Sequence, residues 1–351
     1  MALSSTPAVG LDVGTSAIRA AQVSSGRGGF SLTAFGQVPL PVGALQDGEI
    51  ADAGAVSAAI ARLWKRSKIR SKRVVIGLAN QRVVVRQVDL PFLDEKDLRA
   101  SIRFQVADHI PMPIDEAELD YRVLRDYEDT DGDHMMTVLL VAAASDMVSS
   151  FVDAVQTAGL EVVGVDLAPF AVARAVSRAA RQEEGHVGAE AIIDVGAGTT
   201  NIIVHAGGEP RFVRILLSGG NAITEVLADE MSVSFEEAEA LKIDISGGAS
   251  IPEAERIVDR EVDAFVTELR NSIDYYVARE GGEPISSFTL TGGGSLVRDL
   301  RSKVAAALGA EVLPAAAFSD VDVKTKWDDA QMAQIEPVIA ASLGLAMGRR
   351  P

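Results

Sequence analysis

The 351 residues contain no cysteine, which excludes disulfides, cysteine nucleophiles and thiolate-held metals and suits a reducing compartment. Histidine is scarce as well. His109, His134, His186 and His205 are scattered without ligand spacing, so no metal centre is expected of them. Positive charge is short: Lys and Arg number 33 against 50 for Asp and Glu. The resulting net charge of -17 repels nucleic acid and anionic lipid, so neither is expected as a partner of the whole surface. Long apolar runs are also missing, and the longest, residues 138–144, falls far short of the roughly 20 residues a membrane span needs. Residues 1–7 show no basic stretch leading into an apolar one, so no secretory signal is expected and the reading is of a cytoplasmic protein.

What remains is the composition of a globular protein, 48% hydrophobic and 24% charged, with a length that suits two domains. Strand and helix signals alternate along the chain, which predicts an α/β architecture. Residues 9–13 and 17–23 read as a hairpin, 30–38 as a third strand, and 53–66 as a helix with Val56, Ala59, Ile60 and Leu63 inward. Residues 82–159 form a unit of their own. A strand ends there at Pro91, and a helix capped by Asp94 carries Leu98, Ile102, Val106 and Ile110. Two strands then flank an acidic turn at 128–133, and a helix closes at Gly159.

From Ala191 the opening pattern returns. Val9-Gly10-Leu11-Asp12-Val13-Gly14-Thr15-Ser16 is echoed by Ala191-Ile192-Ile193-Asp194-Val195-Gly196-Ala197-Gly198-Thr199-Thr200, which points to an internal duplication with two related domains facing each other. In each copy glycines let the backbone approach a phosphate, and the N–H groups and hydroxyls of Thr15, Ser16, Thr199 and Thr200 can bond its oxygens. Asp12 and Asp194 at the strand ends are placed to hold the hydration shell of Mg²⁺. A third turn, Gly292-Gly293-Gly294-Ser295, leaves room for a flat ligand against the main chain, and Gly219-Gly220 precedes another helix. Ser234 opens a capping box for the helix that carries Glu239 and Lys242.

Together these stretches resemble the actin-like ATPase superfamily. Asp12-X-Gly14-Thr15 and Asp194-X-Gly196-X-Gly198-Thr199-Thr200 resemble its two phosphate motifs, and Thr291 to Ser295 its adenosine motif. The segment from Ala238 to Lys242 is similar to the one that contacts ribose and base in FtsA and the heat-shock chaperones. Within the superfamily the chain resembles the PilM family of type IV pilus assembly. The stretches that carry this are Gly10 to Ser16, Asp89-Leu90-Pro91, Ala158-Gly159-Leu160 with Val165 to Ala171, and Ile193 to Asn201. Arg19 stands where that family usually has Lys.

The resemblance implies an actin-like fold with an FtsA/PilM-type inserted subdomain. The divisions expected are 1–81, continued by 160–188 and 335–351; the insert at 82–159; and the second domain at 189–334. It implies ATP and Mg²⁺ in the interdomain cleft, with Asp12, Gly14, Thr15, Ser16, Arg19, Asp194, Gly196, Gly198, Thr199, Thr200, Gly219, Gly220, Glu239, Lys242 and Gly292 to Ser295 as the nucleotide set. Asp166 would lie near the nucleotide or serve as an acid at a helix N-terminus, and at most slow hydrolysis is expected. It further implies an adaptor that holds the N-terminal cytoplasmic peptide of PilN in a groove beside the insert, with the strand at 83–88 a candidate wall. Other inner-membrane components and self-association are further expected contacts, and the membrane is reached through partners. A small-molecule kinase of the same fold and an FtsA-like filament protein are the competing readings. The basic run Lys65 to Arg73 reads as a solvated turn following a helix end that favours cations. It is able to lie near the anionic leaflet once a partner has brought the protein there.

Overall fold

The computed structural model describes residues 8–26, 29–177, 188–279 and 282–348. It begins with the hairpin β1 (Ala8–Val13) and β2 (Ala17–Gly26), extended by β3 (Gly29–Pro39). The short pair β4 (Leu45–Gln46) and β5 (Glu49–Ile50) leads to α1 (Ala53–Arg66), whose start is fixed by Asp52 accepting from the Ala55 N–H. Next comes β6 (Arg73–Leu78), parallel to β1. The chain then leaves this sheet for β7 (Val83–Pro91), α2 (Glu95–Gln105), β8 (Ala117–Glu128) and β9 (His134–Ala144). It returns through α3 (Ser145–Thr157) to β10 (Glu161–Leu167), beside β6, and then α4 (Ala168–Val176).

The second half runs β11 (Ala189–Val195), β12 (Thr200–Ala206), β13 (Glu209–Leu216), α5 (Gly220–Met231), α6 (Phe235–Ser246), α7 (Pro252–Ala278), β14 (Ile285–Thr291), α8 (Leu300–Leu308) and β15 (Val312–Pro314). It ends with β16 (Val321–Val323) and α9 (Asp329–Met347). The first sheet has the order β10-β6-β1-β2-β3-β16, and the second has β15-β14-β11-β12-β13. The second therefore repeats the first five strands in order, and the parallel and antiparallel pairings match pair for pair.

Helices α4 and α9 lie between the sheets. Val172 and Val176 pack with Ile339 and Leu343 against Ala21 and Leu32 of one sheet and Ile192 and Ile203 of the other. The contact is close enough to require glycine. A Cβ on Gly344 would stand 1.7 Å from the Ala171 carbonyl oxygen, and one on Gly10 would stand 2.0 Å from that of Ser342.

Residues 83–144 form a three-stranded sheet, β7-β9-β8, with α2 on one face and a core that includes Val88, Leu98, Ile102, Val138 and Leu140. Two sequence expectations are corrected here. The helix that was to reach Ile110 stops at Gln105 and gives way to a 3-10 turn at Ala107–His109; Pro111 holds Ile110 at extended dihedrals, and Val106 and Ile110 remain buried. The return to the first sheet comes before the expected position 335: β16 pairs with β3 from Val321. Three residues carry too little periodicity to be recognised as a strand.

Candidate functional site

The duplicated turns are built alike. In one, Asp12 faces Arg19 across the hairpin and the Gly14 N–H donates to the Ala17 carbonyl at 3.1 Å. In the other, Asp194 faces Asn201 and the Gly196 N–H donates to the Thr199 carbonyl at 2.9 Å. The turns meet: a Cβ on Gly198 would lie 2.7 Å from Thr15 Oγ1. Between them, and extending under α6 and the glycine turn after β14, is a cavity of about 780 Å³.

The glycines at 292–294 do different work. Gly292 has φ +87°, and a Cβ there would stand 2.2 Å from the Val195 carbonyl oxygen. Gly294 presses on Val195 Cγ1, where a Cβ would stand 2.4 Å away. These two let the turn sit down on β11. Gly293 is exposed to the cavity, and the nearest atom to a Cβ there is Val338 Cγ1 at 3.6 Å. The turn is tied to α9 through the Pro337 carbonyl, which accepts from the Gly292 N–H at 2.8 Å and from Thr291 Oγ1 at 3.2 Å.

The far wall is the contact between α5 and α6. Lys242 is 5% exposed, and its Nζ donates to the Gly220 carbonyl at 2.8 Å, Thr224 Oγ1 at 2.6 Å and Glu239 Oε2 at 2.6 Å. All three ammonium donors are thereby used within the protein, so Lys242 braces the wall rather than offering a hydrogen to a ligand. The pair with Glu239 is not the surface pair its spacing suggests. Glu239 lines the cavity, with Oε2 committed to Lys242 and Thr224. Burial lowers the pKa of Lys242, and Glu239 opposes that shift.

At the floor, burial raises the pKa of Asp12 against the pull of Arg19, whose Nη1 lies 3.7 Å from Asp12 Oδ2. Burial, with Asp12 nearby, pushes Asp194 up to about 6, although Asn201 donates to its Oδ2 at 3.0 Å. Arg19 also donates to Gln37 Oε1 at 2.9 Å, which fixes its guanidinium at the cavity. Two half-buried carboxylates with one guanidinium nearby favour an added cation at this floor. Among the described residues no cluster of three or more His, Cys, Asp or Glu could hold a metal directly.

Of the expected residues, Asp12, Gly14, Thr15, Ser16, Arg19, Asp194, Gly196, Thr199, Gly220, Glu239, Lys242 and Gly292 to Gly294 line the cavity. Four are placed otherwise. Gly198 packs on Thr15. Thr200 is fully buried and donates to the Ser218 carbonyl. Gly219 is closed against the carbonyls of Gly196 and Ala197, and Ser295 donates back to the Gly292 carbonyl. Gln37 and Asn201 escaped notice in the sequence. For Asn201 the signal was present, because it occupies in the second copy the place of Arg19 in the first.

A separate groove of about 1020 Å³ lies between β10 and the open face of the three-stranded sheet. Val163 to Val165 form one side, Asp120, Arg122, Leu139 and Val141 the other, and Gly208 with Pro210 of the β12–β13 hairpin stand at an end. Its sheet wall is β8 and β9; the strand at 83–88 lies outside this lining, and its Val83 and Val85 pack on the first core. β10 is a sheet edge, and Val165 on it is 43% exposed. Asp166 belongs to this groove and not to the cavity, where its carboxylate accepts from Arg174 and Arg174 Nε donates to the Gly344 carbonyl at 3.1 Å. Gln87 of β7 reaches the hairpin, donating to the Pro210 carbonyl at 2.8 Å. Among the described residues no helix is long and apolar enough to cross a membrane.

The sequence profile of the type IV pilus assembly protein PilM family matches residues 10–350. A solved chain of a PilM–PilN type IV pilus biogenesis complex is 28% identical, with 97% of this chain and 98% of that one covered and a TM-score of 0.85. The cell division protein FtsA of Streptococcus pneumoniae serotype 2 is 26% identical over 258 residues, which are 67% of this chain but only 54% of FtsA. MreB5 of Spiroplasma citri, solved bound to ADP, is 14% identical with a TM-score of 0.52 over 89% of this chain and 92% of its own, a likeness of fold alone. The fold is that of the actin-like ATPases.

Proposed function

The chain belongs to the type IV pilus assembly protein PilM family, and on that premise we propose that it binds ATP with Mg²⁺ in the cavity while holding the cytoplasmic N-terminal segment of PilN in the groove. The observation that carries the nucleotide half is the meeting of the two turns, Gly198 against Thr15, beside the half-buried carboxylates of Asp12 and Asp194. The backbone N–H groups and hydroxyls at Thr15, Ser16 and Thr199 would take phosphate oxygens, and Arg19 would add a fixed positive charge. Asp12 and Asp194 would hold the hydration shell of the ion, which when bound supplies positive charge against the phosphates. Glu239, with one oxygen outside the described hydrogen bonds, would accept from a ribose hydroxyl. Gly293 would let the base lie against the main chain.

For the peptide, the free edge of β10 offers main-chain donors and acceptors at the strand spacing, and the apolar faces of Leu139, Val141 and Val165 give pockets for alternate side chains. The groove is walled by the insert, the first sheet and the second-half hairpin together. Any change in the angle between the halves would reshape it. In this reading the protein is a cytoplasmic adaptor brought to the inner membrane by its partner. Isothermal titration with ATP·Mg²⁺ and with a PilN N-terminal peptide, separately and together, tests both halves. Absence of heat from ATP would overturn the cavity assignment, and absence of heat from the peptide the groove assignment.

A further inference from the structure

Neither site uses the basic run, yet Lys65, Arg66, Lys68, Arg70, Lys72 and Arg73 crowd into nine residues of a chain with net charge -17. α1 ends at Arg66, so the carbonyls at its C-terminal end account for Lys65 and Arg66. They do not account for the cations beyond it.

That following segment is held in place. The Ser67 N–H donates to the Leu63 carbonyl at 2.9 Å, Trp64 Nε1 donates to the Ser71 carbonyl at 2.9 Å, and Ile69 is 5% exposed in the first core. With Ile69 turned in and Ser71 half-buried, Lys68, Arg70 and Lys72 alternate with them and are exposed. In an extended stretch such alternate residues stand about 6–7 Å apart. Among the described residues none of the three has an ion-pair partner. Of the six cations only Arg73 does, with Glu161 at 3.6 Å.

We propose that Lys68, Arg70 and Lys72, flanked by Lys65 and Arg66, form an edge that docks on the anionic headgroups of a lipid bilayer. The protein's negative charge does not cancel this attraction, because at physiological salt acids more than about 8 Å beyond the contact are largely screened. Nucleic acid suits the edge less well. The segment's one aromatic residue, Trp64, is half-buried with its N–H committed to Ser71, so no stacking platform is present. A strand running on beyond the edge would also meet a chain whose net charge is -17. β6 starts at this edge with Arg73 and carries Gly77 to the cavity, so a docked membrane lies away from the cavity. Arg73 also lines the groove. A membrane-anchored peptide would therefore enter from the membrane side, a clause that rests on the proposed function while the charge argument does not.

The test is sedimentation of the full chain, without peptide or nucleotide, with vesicles of three parts phosphatidylcholine to one part phosphatidylglycerol. The chain is expected to sediment with these vesicles, to stay in solution with pure phosphatidylcholine, and to be released at about 0.5 M salt. The variant Lys68→Gln/Arg70→Gln/Lys72→Gln should lose at least about tenfold in apparent affinity. The variant Arg86→Gln/Lys96→Gln/Arg99→Gln, which removes equal charge from exposed positions of the three-stranded unit, should keep it. Circular dichroism and melting temperature check both folds, and Lys68→Arg/Lys72→Arg, retaining the charge, should bind like the native chain. Failure of the native chain to sediment, equal losses in the two triple variants, or tighter binding to polyuridylate than to vesicles would each overturn the proposal. Because PilN is absent from the assay, these outcomes are independent of the groove.

Discussion

Gly293 and Gly292 are neighbours with opposite predicted responses to a side chain. Gly293 has room for one on its own side, so Gly293→Val should fold with an unchanged melting temperature and lose at least about tenfold in ATP affinity by titration, through steric exclusion alone. Gly292→Ala meets both a left-handed φ and the Val195 carbonyl, and should lose on the order of 3 kcal/mol in chemical denaturation. At the cavity floor, Asp12→Ala should weaken ATP binding far more with Mg²⁺ than with EDTA, and equal losses would show that the carboxylate serves only the turn. Lys242→Met should cost about 2 kcal/mol, because Glu239 and the Gly220 carbonyl lose a buried partner. Its pH dependence has a definite sign. The folded pKa of Lys242 lies below the ordinary 10.5, so near and just below 10.5 the unfolded chain binds more protons, and native stability gains as pH rises there. Denaturation curves taken just below pH 10.5 should show that gain in the native chain and not in the Met variant.

Among the elements, β10 carries the prediction for the partner. Val165 is exposed on the groove side, so Val165→Asp should leave the fold and ATP affinity intact while weakening a PilN peptide by roughly tenfold or more, measured by fluorescence anisotropy. Peptide binding unchanged in that variant would move the docking face elsewhere. Legibility in the sequence follows the same division. α1 is readable because Val56, Ala59, Ile60 and Leu63 recur at helical spacing, and the phosphate-type turns because Asp, Gly and hydroxyl residues recur in order. β16 has three residues and no pattern of its own; only the edge of β3 makes it a strand. Gln37 joins the site through pairing with β2, opposite Arg19, which no local motif announces. The lining of the groove by β8 and β9 is not legible in the sequence for a similar reason. An alternating strand shows that it has two faces but not which face meets a neighbour, and Asp166 looked like a companion of the nucleotide until the edge position of β10 placed it in the groove.

Across the whole molecule, the groove touches both halves and the cavity lies between them, so the two ligands should be linked. Titration of PilN peptide with and without ATP·Mg²⁺, and of ATP with and without peptide, should give Kd ratios that are equal, as thermodynamic reciprocity demands. Gln87→Ala, which removes the bond from the insert to the Pro210 carbonyl, should bring both ratios toward one while leaving the separate affinities largely unchanged. Ratios of one in the native chain would mean that the two sites act independently. The embrace of β1 by the end of the chain has a consequence for how the protein is made. Gly10 sits against Ser342, and β3 takes its outer neighbour from β16, so the first sheet is complete only when the last helix is present. At roughly 5–20 residues per second, the earliest strands to leave a ribosome wait on the order of tens of seconds for their final partner. The second sheet, made of consecutive strands between 189 and 314, has a shorter interval from its first strand to its last.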